Sequence, residues 1–388
     1  MKSPSAPIRH FYRGRRVLVT GDTGFKGSWL AFWLDHLGAE VHGLALEPDT
    51  DPSNFEILGL RERIRHSTVD IRDRDALCRA VRSIGPEVVF HLAAQAIVSV
   101  SYQEPIETLR TNVLGTAHLL QAVREAGYSA ERPCAVVCIT SDKCYENRET
   151  YDAYRETDPM GGRDPYSMSK GAAELVISSW RRSFFPPPEW ARHGVSLASG
   201  RAGNVIGGGD WAPDRIVVDS VRALAAGRPV GVRNPGSIRP WQHVLEPLSG
   251  YLQLGAELAL TAGKGTDLTS PYNFGPGRGA ERTVRELVEL LIRHWGAGSW
   301  EAVQPERFTG LHEAVYLKLA TDKAWHHLGW KPSWEFEPAV KETVTWYRQA
   351  YSGGFDSAEM RKLTAEQIER YTSAAAAQGL RWAGEPGG

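Results

Sequence analysis

The feature that most constrains the fold is a glycine cluster placed directly between two short apolar runs. Residues 17–20 form a β-branched run that predicts a strand, and residues 28–37 form an apolar run that predicts a helix packed on a sheet. The linking sequence, TGDTGFKG at residues 20–27, spaces its glycines as GxxGxxG. A strand, a glycine-rich turn and a helix in this order are typical of the first βαβ unit of a dinucleotide-binding α/β domain.

Each glycine of this loop has a distinct predicted task. Gly21 permits the tight turn, Gly24 lets the backbone approach a pyrophosphate, and Gly27 lets the helix pack closely on the strand. The N-terminus of the helix adds unpaired N–H groups and a positive dipole, which favour phosphate binding. The alternative is a glycine-rich turn without a ligand, but its position directly after the first strand favours a dinucleotide.

Strands and helices continue to alternate after this first unit. Further strands are predicted at residues 40–46, 65–69, 88–92, 135–140 and 195–201, and helices at residues 73–84, 104–126 and 165–184. This alternation predicts an α/β fold, a Rossmann-type doubly wound parallel sheet with its site at the carboxyl edge of the strands. From residue 204 the chain is rich in Gly, Pro, Arg and Trp, which indicates a smaller C-terminal substrate-binding lobe. We expect residues 1–200 to form the dinucleotide-binding domain and residues 201–388 mainly the lobe, with the chain crossing back between them.

An acidic residue about twenty positions past the glycines bears on the choice of dinucleotide. Glu47 and Asp49 follow the second predicted strand, and a carboxylate there can bind the adenosine ribose hydroxyls and repel a 2′-phosphate. No arginine follows the strand directly, so NAD is favoured over NADP. Which of the two carboxylates serves is open, and either is also consistent with a solvated loop residue.

Charge and cysteine content narrow the class of protein. The 388 residues carry 45 basic and 46 acidic side chains, a net charge of −1, so no nucleic-acid partner is expected. The four cysteines show no CxxC spacing, which favours reduced thiols and a cytoplasmic protein. The N-terminal segment lacks the apolar stretch of a signal peptide, and no run is apolar enough to predict a membrane span.

A tyrosine and a lysine four positions apart form a candidate catalytic pair. In the sequence YSMSK at residues 166–170, Tyr166 and Lys170 share one face of a predicted helix. A nearby ammonium favours the phenolate, so it lowers the pKa of tyrosine from about 10 toward that of a useful base. A chance YxxxK on an amphipathic helix is the alternative. The preceding glycine loop and a hydroxyl-bearing strand end at residues 139–143 favour the catalytic interpretation.

Together these motifs resemble the extended short-chain dehydrogenase/reductase family over residues 14–350. The resemblance rests on the glycine loop, Asp70-Ile71, HLAAQ at residues 91–95, TNVLGT at residues 111–116, the strand end and the YxxxK pair. It implies a Rossmann domain that holds NAD tightly and a nucleotide-diphosphate sugar as substrate. The cofactor-binding residues that it implies are Gly21, Thr23, Gly24, Phe25, Lys26, Gly27, Asp70, Ile71, Leu92, Ala93, Ala94, Gln95, Asn112, Tyr166 and Lys170.

Longer strings resemble the nucleotide-sugar 4,6-dehydratases of this family. They are TSDKCYEN at residues 140–147, DPMGG at 158–162 with DPY at 164–166, RAGNVIGGGDW at 201–211 and RPWQHV at 239–244. The dTDP-glucose enzymes carry Asp-Glu where this chain has Asp142-Lys143, and this departure matches the branch with CDP-linked substrates. The resemblance also implies deoxysugar biosynthesis, with lipopolysaccharide O-antigen as its end use.

The reaction that the resemblance implies is an internal redox elimination. Tyr166 takes the proton of the sugar 4-hydroxyl as hydride leaves C4, while Lys170 lowers the tyrosine pKa and holds the nicotinamide ribose. Thr140 is expected to hydrogen-bond the sugar O4. Asp142 is expected to protonate the departing 6-hydroxyl. Lys143 either removes the C5 proton as a neutral amine or only orients Asp142.

The substrate side of the site is expected to be basic, because guanidinium groups match phosphate oxygens bidentately. The candidates in the second lobe are Arg201, Arg215, Arg233 and Arg239. The resemblance favours Arg239 and Asn204 for the diphosphate and places Arg215 near the substrate. Ser141 is a further candidate for contact with the sugar, whereas Arg233 fits a surface ion pair better.

Other chemistry-bearing side chains predict no additional site. His91 and His243 have no partner at a metal-ligand spacing, so no metal is expected. Cys138 and Cys144 flank the strand end, but nothing in the sequence activates them, and we interpret them as small packing residues.

The predicted helices at residues 104–126 and 165–184 carry apolar faces beyond what one sheet can cover. The resemblance implies that they form a four-helix interface in a homodimer. On the second helix the apolar stripe comprises Leu175, Val176, Ile177 and Trp180, with Ser179 as a small contact. Burial against the sheet is the alternative for part of this stripe.

Two other functions remain consistent with the same fold. A nucleotide-sugar 4-epimerase or reductase needs Tyr166, Lys170 and Thr140 but not the Asp142-Lys143 pair. A dinucleotide-binding redox sensor or scaffold needs residues that bind the dinucleotide but no phenolate, so the complete set of Thr140, Tyr166 and Lys170 argues against it.

Overall fold

A seven-stranded parallel sheet forms the centre of the structure, a computed structural model that describes residues 7–264, 268–277, 279–304 and 316–384. The strands of the described residues are β1 (Arg16–Thr20), β2 (Glu40–Ala45), β3 (Arg65–Thr68), β4 (Val88–His91), β5 (Cys134–Ile139), β6 (Val195–Ala202), β7 (Val205–Ile206), β8 (Val230–Val232), β9 (Ile238–Pro240), β10 (Gln242–His243), β11 (Pro271–Phe274), β12 (Glu281–Thr283) and β13 (Trp300–Ala302).

The strand order of the main sheet is β11-β6-β5-β4-β1-β2-β3, and every neighbouring pair is parallel. Strands β2 and β3 extend the sheet to one side of β1, whereas β4, β5 and β6 extend it to the other. The order therefore reverses between β1 and β4, and the loops that follow these two strands diverge and leave a crevice. The predicted Rossmann-type sheet and its six predicted strands, β1 to β6, are confirmed, whereas β11 joins the sheet from a region that was expected to belong mainly to the lobe.

The main sheet is buried on both faces because alternate residues of each strand point in opposite directions. One row across the sheet comprises Leu18, Val89, Val136 and Leu197, which pack under α4, α7 and α8, defined below. The adjacent row comprises Val19, Phe90, Val137 and Ala198, which pack into the larger core on the opposite face. Apolar residues at consecutive strand positions thus serve two cores, as expected for a sheet covered on both faces.

The helices cover both faces of the main sheet and surround the smaller sheets. They are α1 (Ile8–Tyr12), α2 (Phe25–His36), α3 (Asn54–Ile57), α4 (Arg74–Ile84), α5 (Val98–Gln103), α6 (Pro105–Leu109), α7 (Gly115–Glu125), α8 (Pro165–Ser183), α9 (Trp190–His193), α10 (Ile216–Ala225), α11 (Leu245–Thr261), α12 (Val284–Trp295), α13 (Asp322–Leu328), α14 (Phe336–Ser352) and α15 (Ser357–Ala377). A π-helical turn, Arg110–Leu114, joins α6 to α7. Within the described ranges, no helix is long and apolar enough to cross a membrane.

Exposed apolar side chains on α5, α6, the π-helical turn and α8 form what we call the outer helical face. Its members are Tyr102, Ile106, Leu114, Met168 and Leu175. The predicted stripe on α8 is therefore partly wrong. Ile177 is buried against the sheet, and Val176 and Trp180 pack on the same core, because they lie on the inner side of the helix. Leu175 is 62% exposed.

Beyond residue 201 the chain contributes both to small sheets and to the main layer. Strand β10 pairs with β7, and β12 pairs with β9. Strand β13 pairs with β8, which packs beside α10 and α12. In contrast, α11 is buried along most of its length against β4, β5 and β6, and β11 adds the seventh strand to the main sheet. The proposed division into residues 1–200 and 201–388 stays a prediction.

Candidate active site

A cavity of about 1690 Å³ lies at the carboxyl edge of the main sheet, where the strand order reverses. It is lined by the glycine loop, by residues after β4 and β5, by the first turns of α8 and by residues that follow β6. The sequence-predicted residues that line it are Gly21, Thr23, Gly24, Phe25, Lys26, Gly27, Asp70, Ile71, Leu92, Ala93, Ala94, Gln95, Thr140, Ser141, Asp142, Lys143, Tyr166, Lys170, Asn204, Arg215 and Arg239. Among the predicted site residues, Asn112 is absent from this lining.

The glycine loop has the shape that a pyrophosphate needs. Gly21 adopts φ of +76°, and a Cβ there would lie 2.7 Å from the backbone nitrogen of Ala93. At Gly27 a Cβ would collide with the carbonyl oxygen of Gly21, so glycine is required for α2 to start this close to the loop. Gly24 faces the cavity with ordinary clearance. Since the N-terminus of α2 opens into the cavity as well, the loop fits the phosphates of a dinucleotide.

Two carboxylates line the end of the cavity beside β2, as the sequence predicts for an adenosine ribose site. Glu47 accepts hydrogen bonds from Thr68 and from Arg61, each at 2.7 Å, whereas Asp49 is exposed. The hydrogen bond from Arg61 is the largest influence that lowers the pKa of Glu47. The fold thus brings an arginine to this strand end that the sequence spacing does not reveal. Arg61 is shared between Glu47 and Glu56.

Asn112 supports the cofactor side of the cavity from behind. Its carbonyl oxygen accepts a hydrogen bond from the backbone N–H of Gln95 at 2.9 Å. Its amide donates to the Gln95 carbonyl at 3.0 Å and to Ser169 at 2.8 Å. Asn112 lies in the π-helical turn, a deviation that is frequent at functional sites. Asn112 was expected to contact the cofactor, and this expectation is corrected. Its buried amide instead links the loop after β4 to α8.

Lys26 connects the phosphate loop to the catalytic end of the cavity. Burial lowers its pKa to about 8, and this effect is opposed by the charges of Asp142 and Asp210 and reinforced by that of Arg215. The ammonium is therefore close to the predicted catalytic carboxyl group as well as to the helix N-terminus that faces the phosphates.

The two hydroxyls at the end of β5 point in different directions. Thr140 donates a hydrogen bond of 2.6 Å to Glu174 in the protein interior. Ser141, the next residue, lies close enough to the Tyr166 phenol to lower the phenol pKa. Both residues line the cavity, but the Thr140 hydroxyl is engaged by Glu174. The hydrogen bond from Thr140 to the sugar O4 stays a prediction, and Ser141 is a second hydroxyl available to the sugar.

Asp142 is a buried carboxyl group beside the tyrosine. Burial raises its pKa, an effect that is opposed by the charge of Lys143 and by a hydrogen bond from Ser141 at 2.9 Å. Gly203 lies so close that a Cβ there would collide with Oδ2 of Asp142. A carboxyl group with a raised pKa can hold a proton and donate it to a leaving hydroxyl, as expected of a general acid.

Lys143 also lies near the tyrosine ring. Its Nζ lies 5.8 Å from the ring centroid of Tyr166, and its backbone N–H donates to Ser141 at 3.3 Å. The side chain is half-buried and lines the cavity. This location is consistent with either a base at C5 or an orienting partner of Asp142, so both predicted roles stay open.

Tyr166 and Lys170 face the cavity from consecutive turns of α8, and Nζ of Lys170 lies 6.0 Å from the tyrosine ring centroid. Burial raises the pKa of Tyr166 to about 12, and it lowers the pKa of Lys170 to about 8. In the protein itself the tyrosine pKa therefore lies above 10, in contrast to the expectation that the nearby ammonium lowers it toward that of a useful base. The hydrogen bond from Ser141 and the charge of Arg215 lower the phenol pKa, but burial outweighs them.

Arg201 belongs to β6 and is not part of the cavity lining, in contrast to the expectation for the arginines of the second lobe. Its guanidinium is buried and forms an ion pair of 2.8 Å with Glu174. Sequence reasoning missed Glu174, although the signal was present. Glu174 follows Lys170 by four positions and Tyr166 by eight, so it lies on the catalytic face of α8.

The substrate side of the cavity keeps three of the predicted residues. Asn204, Arg215 and Arg239 all line it. Arg233 also lines it and lies 3.8 Å from Asp214 in a half-exposed ion pair, as the alternative interpretation of this residue anticipated. These guanidinium groups share this part of the cavity with the carboxylates of Asp210, Asp214 and Asp219.

The two histidines singled out in the sequence are buried and uncharged. Burial lowers the pKa of His91 and of His243 to about 3. His91 bridges Thr20 at 2.7 Å and Thr116 at 3.1 Å, so it joins β1 and β4 to α7. Cys138 and Cys144 are free and buried, and burial raises the pKa of each thiol, as fits packing residues.

Known proteins resemble this chain in sequence and in fold. A family model described as GDP-mannose 4,6 dehydratase matches residues 18–343. A CDP-glucose 4,6-dehydratase of Salmonella typhimurium is 48% identical over 366 residues, which cover 94% of this chain and 98% of that protein. A dTDP-glucose 4,6-dehydratase of Neisseria gonorrhoeae is 28% identical over 361 residues, 86% of this chain and 95% of the relative.

Solved structures agree with the fold. A dTDP-glucose 4,6-dehydratase from Streptomyces venezuelae, crystallised with NAD and TYD, matches with a TM-score of 0.70 and 27% identity, covering 87% of this chain and 98% of that chain. A UDP-glucose 4-epimerase from Thermotoga maritima, crystallised with UDP-glucose, matches with a TM-score of 0.71 and 23% identity, covering 86% of this chain and 99% of that chain. The second likeness bears on the fold alone.

Proposed function

The chain belongs to the GDP-mannose 4,6 dehydratase family, and from this premise we propose that it is an NAD-dependent 4,6-dehydratase that acts on CDP-glucose. The 48% identity to a CDP-glucose 4,6-dehydratase over nearly the whole length of both chains supports this choice of substrate. The glycine loop and the cavity after β1 and β4 support NAD, which is also bound in the Streptomyces venezuelae structure.

The observation that carries the proposal is that Asp142 and Lys143 lie near Tyr166 in one cavity. A 4-epimerase or a reductase needs only Tyr166 and Lys170 of α8 and a hydroxyl group at the end of β5. An elimination needs in addition an acid for the leaving hydroxyl and a base for the adjacent carbon. Because this chain presents a buried carboxyl group and an amine beside the tyrosine, the dehydratase is favoured.

Bound NAD supplies the hydride acceptor for the sugar C4 and the hydride donor for C6, so no external oxidant is consumed. Tyr166 takes the proton from O4, assisted by its hydrogen bond with Ser141. The 4-ketone acidifies the C5–H bond, and a base removes that proton while Asp142 protonates the 6-hydroxyl, which leaves as water. Lys143 is the proposed base, and orientation of Asp142 is its alternative role. C5 is reprotonated in the last step.

The residues proposed to hold the substrate line the cavity after β6. Arg239 and Asn204 are assigned to the diphosphate, and Arg215 is assigned to the sugar side, since its charge influences both Tyr166 and Lys26. Arginine is suited to this task because its planar fork binds two phosphate oxygens at once.

The outer helical face supports a homodimer. Its exposed apolar residues on α6 and α8 include Ile106, Met168 and Leu175, which a second copy of the same face would cover. We also place the enzyme in the cytoplasm, since all four cysteines are free and buried. A role of the product in O-antigen synthesis stays an expectation from the family resemblance.

A substrate panel tests the proposed function. Purified protein is incubated with NAD and, separately, with the CDP-, dTDP-, GDP- and UDP-linked forms of glucose, and the 4-keto product is read from its alkali-induced absorbance. We expect the product with CDP-glucose and much less with the others. Interconversion of glucose and galactose forms without a 4-keto product would instead indicate the epimerase. Absence of turnover with every sugar, while NAD still binds, would support a non-enzymatic function.

A further inference from the structure

A buried ion pair lies behind the catalytic residues, and the reaction as described does not use it. Glu174 is 5% exposed and Arg201 is 3% exposed, and Nη2 of the arginine lies 2.8 Å from Oε2 of the glutamate. A buried ion pair is costly unless further hydrogen bonds satisfy both groups. The hydrogen bonds to the two side chains therefore indicate the role of the pair.

The Glu174 carboxylate is hydrogen-bonded from two strands of the main sheet. At the end of β5, Thr140 donates to Oε1 at 2.6 Å. From β6, Ser199 donates to Oε2 at 2.9 Å, beside the arginine. Since Glu174 itself belongs to α8, this one carboxylate ties the catalytic helix to the ends of two strands.

The Arg201 guanidinium is also held by a hydrogen bond to a group other than Glu174. Nη1 of Arg201 donates to the Tyr145 hydroxyl at 2.7 Å, and this hydroxyl donates to Asn273 of β11 at 2.7 Å. The guanidinium also lies 5.0 Å from the centroid of the Tyr145 ring. Tyr145 directly follows the short 3-10 helix Asp142–Cys144.

The ion pair thus holds both ends of one short segment. Thr140 precedes the catalytic turn at residues 141–144 and hydrogen-bonds Glu174. Tyr145 follows the turn and hydrogen-bonds Arg201. We propose that the Glu174–Arg201 pair is a positioning device for the reaction, which holds this catalytic turn against the face of α8 that carries the tyrosine. The inference rests on the catalytic roles proposed above.

The charge of Glu174 has a second consequence, at Lys170. Burial would raise the pKa of Glu174, but Arg201 and hydrogen bonds outweigh it and hold the pKa below its ordinary value, so the group is ionised. Burial and Lys26 lower the pKa of Lys170, whereas Cys144 and Glu174 raise it. The thiol of Cys144 stays neutral because burial raises its own pKa.

Two further titratable groups lie near the Lys170 ammonium. His91 faces it from β4 and is uncharged, since burial lowers the histidine pKa to about 3. Tyr166 faces it from the preceding turn of α8. Glu174 therefore supplies the negative charge that favours the protonated lysine.

Serine substitutions in β6 test the positioning role without altering the cavity. Ser199→Ala removes one hydrogen bond to Glu174, and Ser199 does not line the cavity. Ser196→Ala, a buried position in the same strand, is the matched control. We expect Ser199→Ala to lower kcat by about 5-fold or more with KM and NAD affinity within about 2-fold, because small misplacements of catalytic groups reduce turnover. The control should keep the parental kcat.

A second pair of variants addresses the other oxygen of the carboxylate. Thr140→Val removes the hydroxyl that Glu174 binds, and Thr140→Ser keeps it. We expect a kcat loss of about 10-fold or more for valine, and restoration to within about 3-fold by serine. Parental kcat in both Ser199→Ala and Thr140→Val would overturn the proposal, as would an equal loss in Ser196→Ala.

Glu174→Gln tests the charge. In the folded variant, the alkaline limb of the kcat/KM–pH profile should move down by about half a pH unit or more, because Lys170 loses a negative neighbour. An unmoved limb in folded protein would overturn the electrostatic part. If the variant does not fold because Arg201 is left unpaired, the Ser199 and Thr140 variants decide the proposal. Failure of the proposed function is distinguishable, because the parental enzyme would then form no 4-keto product.

Discussion

The Ser141 hydroxyl, at the end of β5, lies beside the phenol of Tyr166 in the first turn of α8 and lowers the pKa of that phenol. The same hydroxyl donates to Oδ1 of Asp142 at 2.9 Å. One serine therefore links the group proposed to deprotonate O4 with the group proposed to protonate O6.

Removal of the phenol hydroxyl tests the base. Tyr166→Phe keeps the ring packing, and we expect turnover to fall by at least about 100-fold, as is typical for loss of a positioned general base. NAD binding, measured by quenching of protein fluorescence, should be retained. Tyr128→Phe is the matched control, because this buried tyrosine donates to the Pro86 carbonyl away from the cavity. Near-parental turnover in the Tyr166 variant would exclude the tyrosine as base.

Asp142→Asn tests the elimination step. An amide keeps the shape of the side chain but holds no acidic proton, so loss of water should slow more than oxidation at C4. On rapid mixing with substrate, the variant should therefore accumulate enzyme-bound reduced nicotinamide, visible in its absorbance. If substrate binds and neither reduced nicotinamide nor product appears, Asp142 also acts in the first step.

Lys143→Met tests whether an amine is needed at this position. Methionine keeps the length of the chain and removes the basic nitrogen, so elimination should stop while C4 oxidation by way of Tyr166 remains possible. Solvent deuterium should then fail to enter C5 of the recovered sugar, as measured by mass spectrometry. Rapid deuterium incorporation in this variant would place the C5 base elsewhere.

Lys143→Arg separates the two roles left open for this lysine. Arginine keeps the charge but cannot accept a proton at working pH. If Lys143 is the base, we expect dehydration to fall by about 100-fold or more, since loss of a general base costs 10²–10⁴. Activity within about tenfold of the parent would show that the lysine only orients Asp142.

The outer helical face predicts how the dimer can be disrupted. Light scattering of the parent at micromolar concentration should give twice the 42.9 kDa mass of one chain. Leu175→Glu places a charge on this face and should give the mass of a single chain, because an unpaired charge at an apolar interface is costly. Val303→Glu, at an exposed apolar residue outside the face, is the control. A parental mass of one chain would contradict the dimer.

Buried His243 predicts acid sensitivity of the fold. Burial lowers its pKa to about 3, whereas in the unfolded chain the pKa is about 6.5. Between these values the unfolded chain binds the additional proton, so the free energy of unfolding falls as the pH drops, by about 1.4 kcal/mol per pH unit for this group. Urea unfolding of parent and His243→Gln at pH 7 and pH 5 should show a smaller loss in the variant. Parallel losses would contradict the assignment.

The orientations of several side chains depend on contacts that the sequence pattern does not reveal. Thr140 and Ser141 are adjacent hydroxyls, and the alternation of an extended backbone turns one toward Glu174 and the other toward Tyr166. Arg201 belongs to a basic string in the sequence, but its partner Glu174 lies 27 positions earlier in the chain, so the pair is invisible to local patterns. Asn112 is turned inward by the same kind of distant contact, with Gln95 and Ser169.

The sequence by itself determined the Rossmann-type sheet, the order of its strands and helices, the glycine loop and the family. These follow from local rules, since period-2 and period-3.6 patterns, glycines at a strand-to-helix turn and YxxxK on one helix are each written within a few residues. Only the tertiary structure decided which hydroxyl faces the tyrosine, which arginine is committed to a buried carboxylate and which side of α8 is exposed. The physical reason is that these depend on contacts between segments far apart in the chain, where a shift of one residue reverses the direction of a side chain.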